Sequence, residues 1–531
     1  MQQRILTNAT LLNPDAGANP VDTIAISDGA IQAVGTEEEI LGQFPGFEIT
    51  DLNQAYLLPS FTDAHIHLLK YGLSLQQVNC ETDTVTKCLS RVKSATQKTK
   101  DAKWVRGHGW NQNAWDGQYG SKHDLDAISP ANPVYLTHKS LHCGWANSSA
   151  LKIAGISKDT PDPEGGIIQR TDSGEPTGVL FESAMRLVED AIPEPDDADI
   201  LNALKSAQTA LNAFGITSVH DFDPWPVFNA LQELLAGSGL SLRVIKSIPL
   251  KYLNQVIQQG QKTGDGNDWI KIGWLKIFAD GALGPQTAAM LEPYENTDST
   301  GLLLLTKNEI TELGFQALSN RIGLAVHAIG DRAVRETLLA LSDLDKQNLL
   351  RNSKFPSRIE HVQLINENDM PMMKETGVLA SMQPIHAISD MDMAERHWGD
   401  RCQNAYAWNG ISNSGIPLLF GSDAPVESPN PFLGLHASVH RKPFGDPSKA
   451  SWTGHQQISL LQSLLAYTAN PNALCGFQHC GKIAVGFSAD MILIPAMPYE
   501  DLIESLQVIE PMATMIGGNW VYIKDSINIE I

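Results

Sequence analysis

Two histidines one residue apart, His65 and His67 in PSFTDAHIHLLKYG, follow an apolar run and an aspartate. If AYLLPSFTDAHIH is a strand, alternation puts both imidazoles on one face and Ile66 on the other. Two imidazoles so placed at a strand end can grip one metal ion; such a pair also occurs at surface turns. Further candidates end other short apolar runs: His220 (GITSVHDF), Lys276 (IKIGWLKIFADG), His327 (GLAVHAIGD), His361 (SRIEHVQL), His386 (GVLASMQPIH) and Asp423 (IPLLFGSDAP). So many metal-ligand types at the polar ends of apolar runs point to a metal centre. His327 and His361 also suit core histidines bonded to backbone carbonyls, and Asp423 suits a helix cap. His220 and His386 fit a place beside the ligands or against substrate better than direct coordination.

Lys276 is the most informative of the set, because an ammonium is costly to desolvate at a buried strand end. A neutral amine there can take up carbon dioxide as a carbamate, whose two oxygens suit bridging two metals about 3.5–4 Å apart. The other reading pairs Lys276 with a nearby acid such as Asp280.

The elements that must position these residues alternate strand with helix. Eight apolar runs, beginning with LLPSFTDAHIH and including LRVIKSIP, are separated by helical patterns such as ADILNALKSAQTALNAF and DRAVRETLLALSDLDKQ. Eight strand–helix units predict an α/β fold, a (β/α)8 TIM-like barrel, with chemistry at the C-terminal strand ends. The interval from about 71 to 200 is too long for one helix and holds further strand-like runs (NPVYLTHKS, GGIIQR). It is expected as an insertion over the barrel mouth that shapes the substrate pocket. Both ends of the chain read as short strands, with turns at Asn13-Pro14 and Asp28-Gly29. The predicted organisation is one small β-domain from residues 1–58 plus 480–531, around a barrel of residues 59–479.

At 531 residues, with 42% hydrophobic and 18% charged residues, the chain can enclose a large core. A formal net charge of −22 argues against a nucleic-acid partner, which needs a basic stripe. No run approaches the about 18 apolar residues of a membrane span. The N-terminal residues lack the pattern of an export signal, so a cytoplasmic protein is expected. The scattered cysteines (Cys80, Cys88, Cys143, Cys402, Cys475, Cys480) then read as free buried thiols.

Taken together, FTDAHIH, LKIFADGALGPQTA, AVHAIGDRA, RIEHVQ, SMQPIHAISDM and FGSDAPVESPNPF resemble the amidohydrolase superfamily. The nearer resemblance is to its YtcJ-like branch, which includes N-substituted formamide deformylase. RGHGWNQNAW, HCGWANSSAL and PTGVLFES in the insertion, and GKIAVGFSADMILI near the C-terminus, extend the likeness almost end to end. The resemblance implies a barrel with a β-sandwich-like satellite and one or two divalent ions per chain, zinc or a similar metal. It implies His65, His67, His327, His361 and Asp423 as ligands, with Lys276 as a carbamylated bridge. Asp423 would shuttle a proton for metal-activated water, while Glu360 and Asp331 orient imidazoles. Trp110, His142, His220 and His386 are candidates for the pocket of a small-molecule substrate. Where the branch often reads LGSRTA, this chain has Pro285 and Gln286 in LGPQTA, so no relative's substrate carries over. The expected activity is cleavage of an amide or other non-peptide C–N bond. Alternatives are a mononuclear deaminase of a cyclic amidine and a non-catalytic regulatory homologue. A homo-oligomer is compatible with all three.

Overall fold

Each apolar run singled out above forms a strand in the computed structural model, which describes residues 3–13, 21–100, 102–115, 117–139, 142–237, 239–446 and 448–525. The eight are β1 (Phe61–Ile66), β2 (Ile216–Asp221), β3 (Arg243–Pro249), β4 (Ile270–Phe278), β5 (Leu324–Ala328), β6 (Arg358–His361), β7 (Leu379–Met382) and β8 (Leu418–Phe420). They lie in chain order in one sheet, each parallel to the next. Nearly all their residues are buried, which is why they read as continuous apolar runs and not as alternating ones. The β8–β1 seam is joined just beyond the strands, where Asp423 N–H donates to His65 O at 2.7 Å and His67 N–H to Ala424 O at 2.9 Å. The sheet is thus a nearly closed TIM-like barrel.

Helices follow the 3.6-residue pattern. In Asp331–Lys346, for example, Val334, Leu338, Leu341 and Leu344 are buried along one stripe. The other helix expected by name spans Asp197–Ala213.

AYLLPSFTDAHIH is not one strand. Tyr56–Pro59 belongs to a different sheet from β1, and the chain changes sheet at Ser60. That sheet has five strands, in the order Thr10–Leu11, Tyr56–Pro59, Met491–Ile494, Ala513–Ile516 and Asn519–Ile523, so it joins both ends of the chain. A four-stranded sheet of Arg4–Thr7, Thr23–Ser27, Ala30–Gly35 and Glu48–Asp51 shares an apolar core with it, including Leu6, Ile24, Ile26, Leu57, Met491 and Met515. Asp28 and Gly29, both at positive φ, make the expected turn between two of these strands. Pro14 of the expected Asn13-Pro14 turn lies outside the described residues.

The chain divides into two compact units, residues 1–71 with 204–531 and residues 72–203. The second unit has its own six-stranded sheet and a core that includes Trp110, Trp115, Trp145, Val134 and Leu136. All six cysteines are free and buried. Among the described residues, no helix is long and apolar enough to cross a membrane.

Candidate metal centre

The C-terminal strand ends bring a group of imidazoles and one carboxylate together. His65, His361 and Asp423 are buried, and one ligand atom from each lies within 4.8 Å of the others. His65 Nε2 is 3.6 Å and His67 Nε2 is 3.4 Å from the same oxygen, Asp423 Oδ1. That oxygen is buried and, among the described residues, accepts no hydrogen bond. Asp423 (φ 59°) and His361 (φ 78°) both hold left-handed backbone conformations, a strain that structures tend to keep at functional sites.

The far nitrogen of each imidazole is tied down. His65 Nδ1–H donates to Glu360 Oε2 at 2.6 Å, His67 Nδ1–H to Asp223 Oδ1 at 3.2 Å, and His361 Nδ1–H to Gln383 Oε1 at 2.7 Å. For His65 and His361 the bond sets the tautomer that leaves Nε2 with a free lone pair, as metal-binding histidines require, and the Asp223 bond orients His67 for the same role once its second proton has left. A buried carboxylate oxygen that accepts no hydrogen bond among the described residues and faces two oriented imidazoles fits a divalent cation.

Behind Glu360 stands Arg358, fully buried. Its Nε donates to Glu360 Oε1 at 2.5 Å, its Nη2 to Glu360 Oε2 at 3.0 Å and Ala64 O at 2.6 Å, and its Nη1 to His220 Nδ1 at 2.7 Å. Burial would push the Glu360 carboxyl up, but Arg358 and His65 outweigh it and hold it well below the usual carboxylate range. Asp223 is braced through its backbone, because the buried Lys246 ammonium donates to Asp223 O and pairs with Asp221 at 2.9 Å.

Burial, reinforced by Lys276, lowers the His65 imidazole to about 4 and His327 to about 3, and burial with its histidine neighbours holds His361 well below its ordinary value. These rings are neutral and able to ligate. His67 differs: burial opposes its protonation, yet Asp223 and Asp423 together raise it to about 9. A cation binding there would displace that proton.

His327 packs on the His361 ring at 4.5 Å between centroids, but its Nε2 sits 2.9 Å from Gly281 O and it lies outside the tight cluster. Lys276 is 7% exposed, and its Nζ lies 4.8 Å from the Phe222 ring and 4.9 Å from the Phe278 ring. Burial is the main cause that lowers its ammonium to about 8. Asp280 does not pair with it; its carboxylate instead accepts from the backbone N–H groups of Ala289, Ile329 and Gly330.

His220 lies at the Arg358 end of the network, buried, with Nδ1 as acceptor. His386 is not on a strand but in the helix Pro384–Ser389, its ring stacked at 6.3 Å on His361. Trp110 is fully buried in the core of the second unit, its Nε1–H bonded to Leu136 O at 2.9 Å. His142, in the same unit, is exposed and pairs with Glu182 at 3.0 Å. Glu360 orients His65, whereas Asp331 accepts from Leu291 N–H at 2.9 Å.

This arrangement coincides with a match to the Amidohydrolase family over residues 48–522. The chain belongs to that family. It is 30% identical over 519 residues to the putative amidohydrolase YtcJ of Bacillus subtilis (strain 168), covering 95% of this chain and 96% of that protein. It is 25% identical over 541 residues to the N-substituted formamide deformylase of Arthrobacter pascens, covering 98% of each. Among solved structures, an uncharacterized metal-dependent hydrolase from Pyrococcus furiosus superposes with a TM-score of 0.77 at 26% identity, covering 93% of this chain and 99% of that one.

In this amidohydrolase, sequence reasoning missed Arg358, Asp223, Gln383 and Lys246. A signal existed for the first: Arg358 and Glu360 are two apart on a strand and so share a face, turned toward the barrel interior. Asp63 also had a signal, two residues before His65. It accepts from the N–H groups of His65 and Ser422, each at 3.0 Å, and staples the barrel seam beneath the ligands.

Proposed function

We propose that this amidohydrolase cleaves an amide or other non-peptide C–N bond of a small molecule. The observation that carries the reading is the convergence of His65 Nε2 and His67 Nε2 on the buried Asp423 Oδ1, which accepts no hydrogen bond among the described residues. His65, His67, His361 and Asp423 would hold a divalent cation, zinc in this proposal, with His327 beside them. Such a cation supplies Lewis acidity, lowering the pKa of a water at the site and polarising a carbonyl oxygen.

The chain's own groups do the rest. Glu360, Asp223 and Gln383 keep three imidazoles in the ligating tautomer and orientation. Asp423 takes the proton of the attacking water and returns it to the leaving amine, acting as general base and then general acid. Lys276, with its ammonium lowered to about 8, has a fraction of neutral amine at ordinary pH. That amine can add carbon dioxide, releasing one proton, to give a carbamate able to bridge two ions. The sheets from both termini are proposed as a β-sandwich domain of residues 1–58 plus 480–531, and the site in residues 59–479 as a cytoplasmic activity.

A second reading, deamination of a cyclic amidine with one cation, draws support from the grouping of one ligand atom each from His65, His361 and Asp423 within 4.8 Å of one another. The experiment is amine release from a panel of N-formyl and N-acetyl amines, with ammonia release from cyclic amidines in parallel, by wild type and Asp423→Asn. Amine release that is lost in the variant supports the amide reading. Ammonia release alone supports the second, and no turnover of either class contradicts both.

A further inference from the structure

A cavity of about 320 Å³ opens beside His67 and Lys276 at the C-terminal ends of β3 and β4. Its wall is Phe222, Pro249, Leu250, Ile277, Phe278, Leu304 and Leu305. None of these side chains carries a charge or a hydrogen-bonding group, so among the described residues its only polar side chains are His67 and Lys276. Three of the wall residues are large apolar groups left in solvent: Leu250 is 43% exposed, Phe278 48% and Leu304 49%. Exposed apolar surface gathered at one place marks a binding surface more often than chance scatter does. The wall is also held in place, because Leu304 N–H donates to Ala279 O at 2.7 Å, directly after β4.

The other side of the ion ligands is polar. Gln383 Nε2 and His386 Nε2 are buried there and have no hydrogen-bond partner among the described residues. Gln383 already receives His361 Nδ1–H on its oxygen, and His386 stacks on the His361 ring. The site therefore offers unpaired polar groups on the β6–β7 side and a bare apolar wall on the β3–β4 side.

Building on the hydrolase reading above, we propose that the substrate is an amide whose polar scissile group sits among the histidines. Its substituent is an uncharged apolar group, phenyl or branched alkyl, seated against Phe222, Leu250, Phe278 and Leu304. Each methylene buried against that wall strengthens binding about fourfold. A charged substituent loses its hydration there and gains no partner from the wall. The competing attraction comes from Lys276 and His67, the polar groups of the lining, which would favour an anionic substituent, and the carboxymethyl probe weighs that attraction against the wall.

The test measures calorimetric binding of four N-substituted methanesulfonamides, in which a sulfonyl group that is not cleaved replaces the carbonyl, to the zinc-loaded wild-type protein, with N-substituents benzyl, isobutyl, carboxymethyl and 2-aminoethyl. Benzyl and isobutyl are expected to bind at least about a hundredfold tighter than the two charged members. Leu304→Asp in the same protein is expected to weaken benzyl binding about tenfold or more, and Leu304→Met to restore it. Equal or tighter binding of carboxymethyl or aminoethyl overturns the proposal, and so does failure of every member to bind. Turnover of the matching acetamides by wild type is read separately. Benzyl binding without cleavage contradicts the hydrolase reading and upholds the apolar site; cleavage that favours a charged member overturns the apolar site alone.

Discussion

Arg358→Met removes the one cation that, among the described residues, contacts Glu360, and leaves that carboxylate buried against a neutral imidazole. The guanidinium is fully buried and makes two bonds to the carboxylate, plus bonds to Ala64 O, His220 Nδ1 and Ser381. Breaking a buried ion pair by removing one partner costs about 3–5 kcal/mol, against a total stability of about 5–15 kcal/mol for an ordinary domain. The variant is therefore expected to fold with its urea midpoint clearly lowered. Glu360 would escape the unpaired charge by taking a proton, and His65 Nδ1 would lose its anionic acceptor. Loss of such an outer partner typically weakens metal affinity about 10–100-fold. The double variant Arg358→Met/Glu360→Gln leaves no buried charge behind, so it should recover much of the stability but not the affinity. Urea unfolding of ion-free protein and zinc titration against a competing chelator separate the two effects. A stability loss below about 1 kcal/mol, or unchanged zinc affinity in both variants, would refute the role assigned to Arg358.

Two other perturbations test the frame around the site. A Cβ on Gly421 would lie 2.4 Å from His65 N and 2.8 Å from Asp63 Oδ1. Gly421→Ala should force the barrel seam apart, cost about 1–3 kcal/mol and reduce zinc affinity; unchanged urea midpoint and affinity would show that the seam yields freely. The Arg243–Asp490 pair, buried and bonded at 2.8 Å, ties β3 to the segment preceding Met491–Ile494. Burial raises the Asp490 carboxyl, but Arg243 outweighs it and the net shift is downward. A depressed folded value means that this stability is present above the unfolded value of about 3.9 and is lost as pH falls through the folded one. Asp490→Asn should thus cost about 3–5 kcal/mol at neutral pH, with the gap from wild type narrowing once pH drops below about 4. A gap that stays constant across urea titrations from pH 7 to pH 3 would contradict the assignment.

The barrel was legible because its strands are buried on both faces, so each appears as an apolar run closed by a polar residue. His65, His67, His361 and Asp423 could be picked out for the same reason, since each stands where such a run stops. The joint at Pro59 and Ser60 was not legible, because the strands on both sides are apolar and only their partners differ. Nor was the bracing of the ligands. Arg358 reads in sequence as an ordinary charge, and Glu360 is expected to orient an imidazole without any sign of which; their partners His220 and His65 lie 138 and 295 residues away. His386 stands four residues past the end of β7 because Pro384 opens a helix. Trp110 sits in a conspicuous aromatic motif, yet packing alone accounts for its environment, stacked on Trp115 at 5.9 Å and edge-on to Trp145.

The most direct measurement is divalent metal per chain, by elemental analysis of wild type and His65→Ala purified without chelators and then offered zinc. Wild type is expected to hold at least one ion per chain and His65→Ala to lose it while keeping its fold by circular dichroism. Wild-type protein that neither carries nor takes up an ion, or a variant with the same content as wild type, would contradict a cation held by His65, His67, His361 and Asp423.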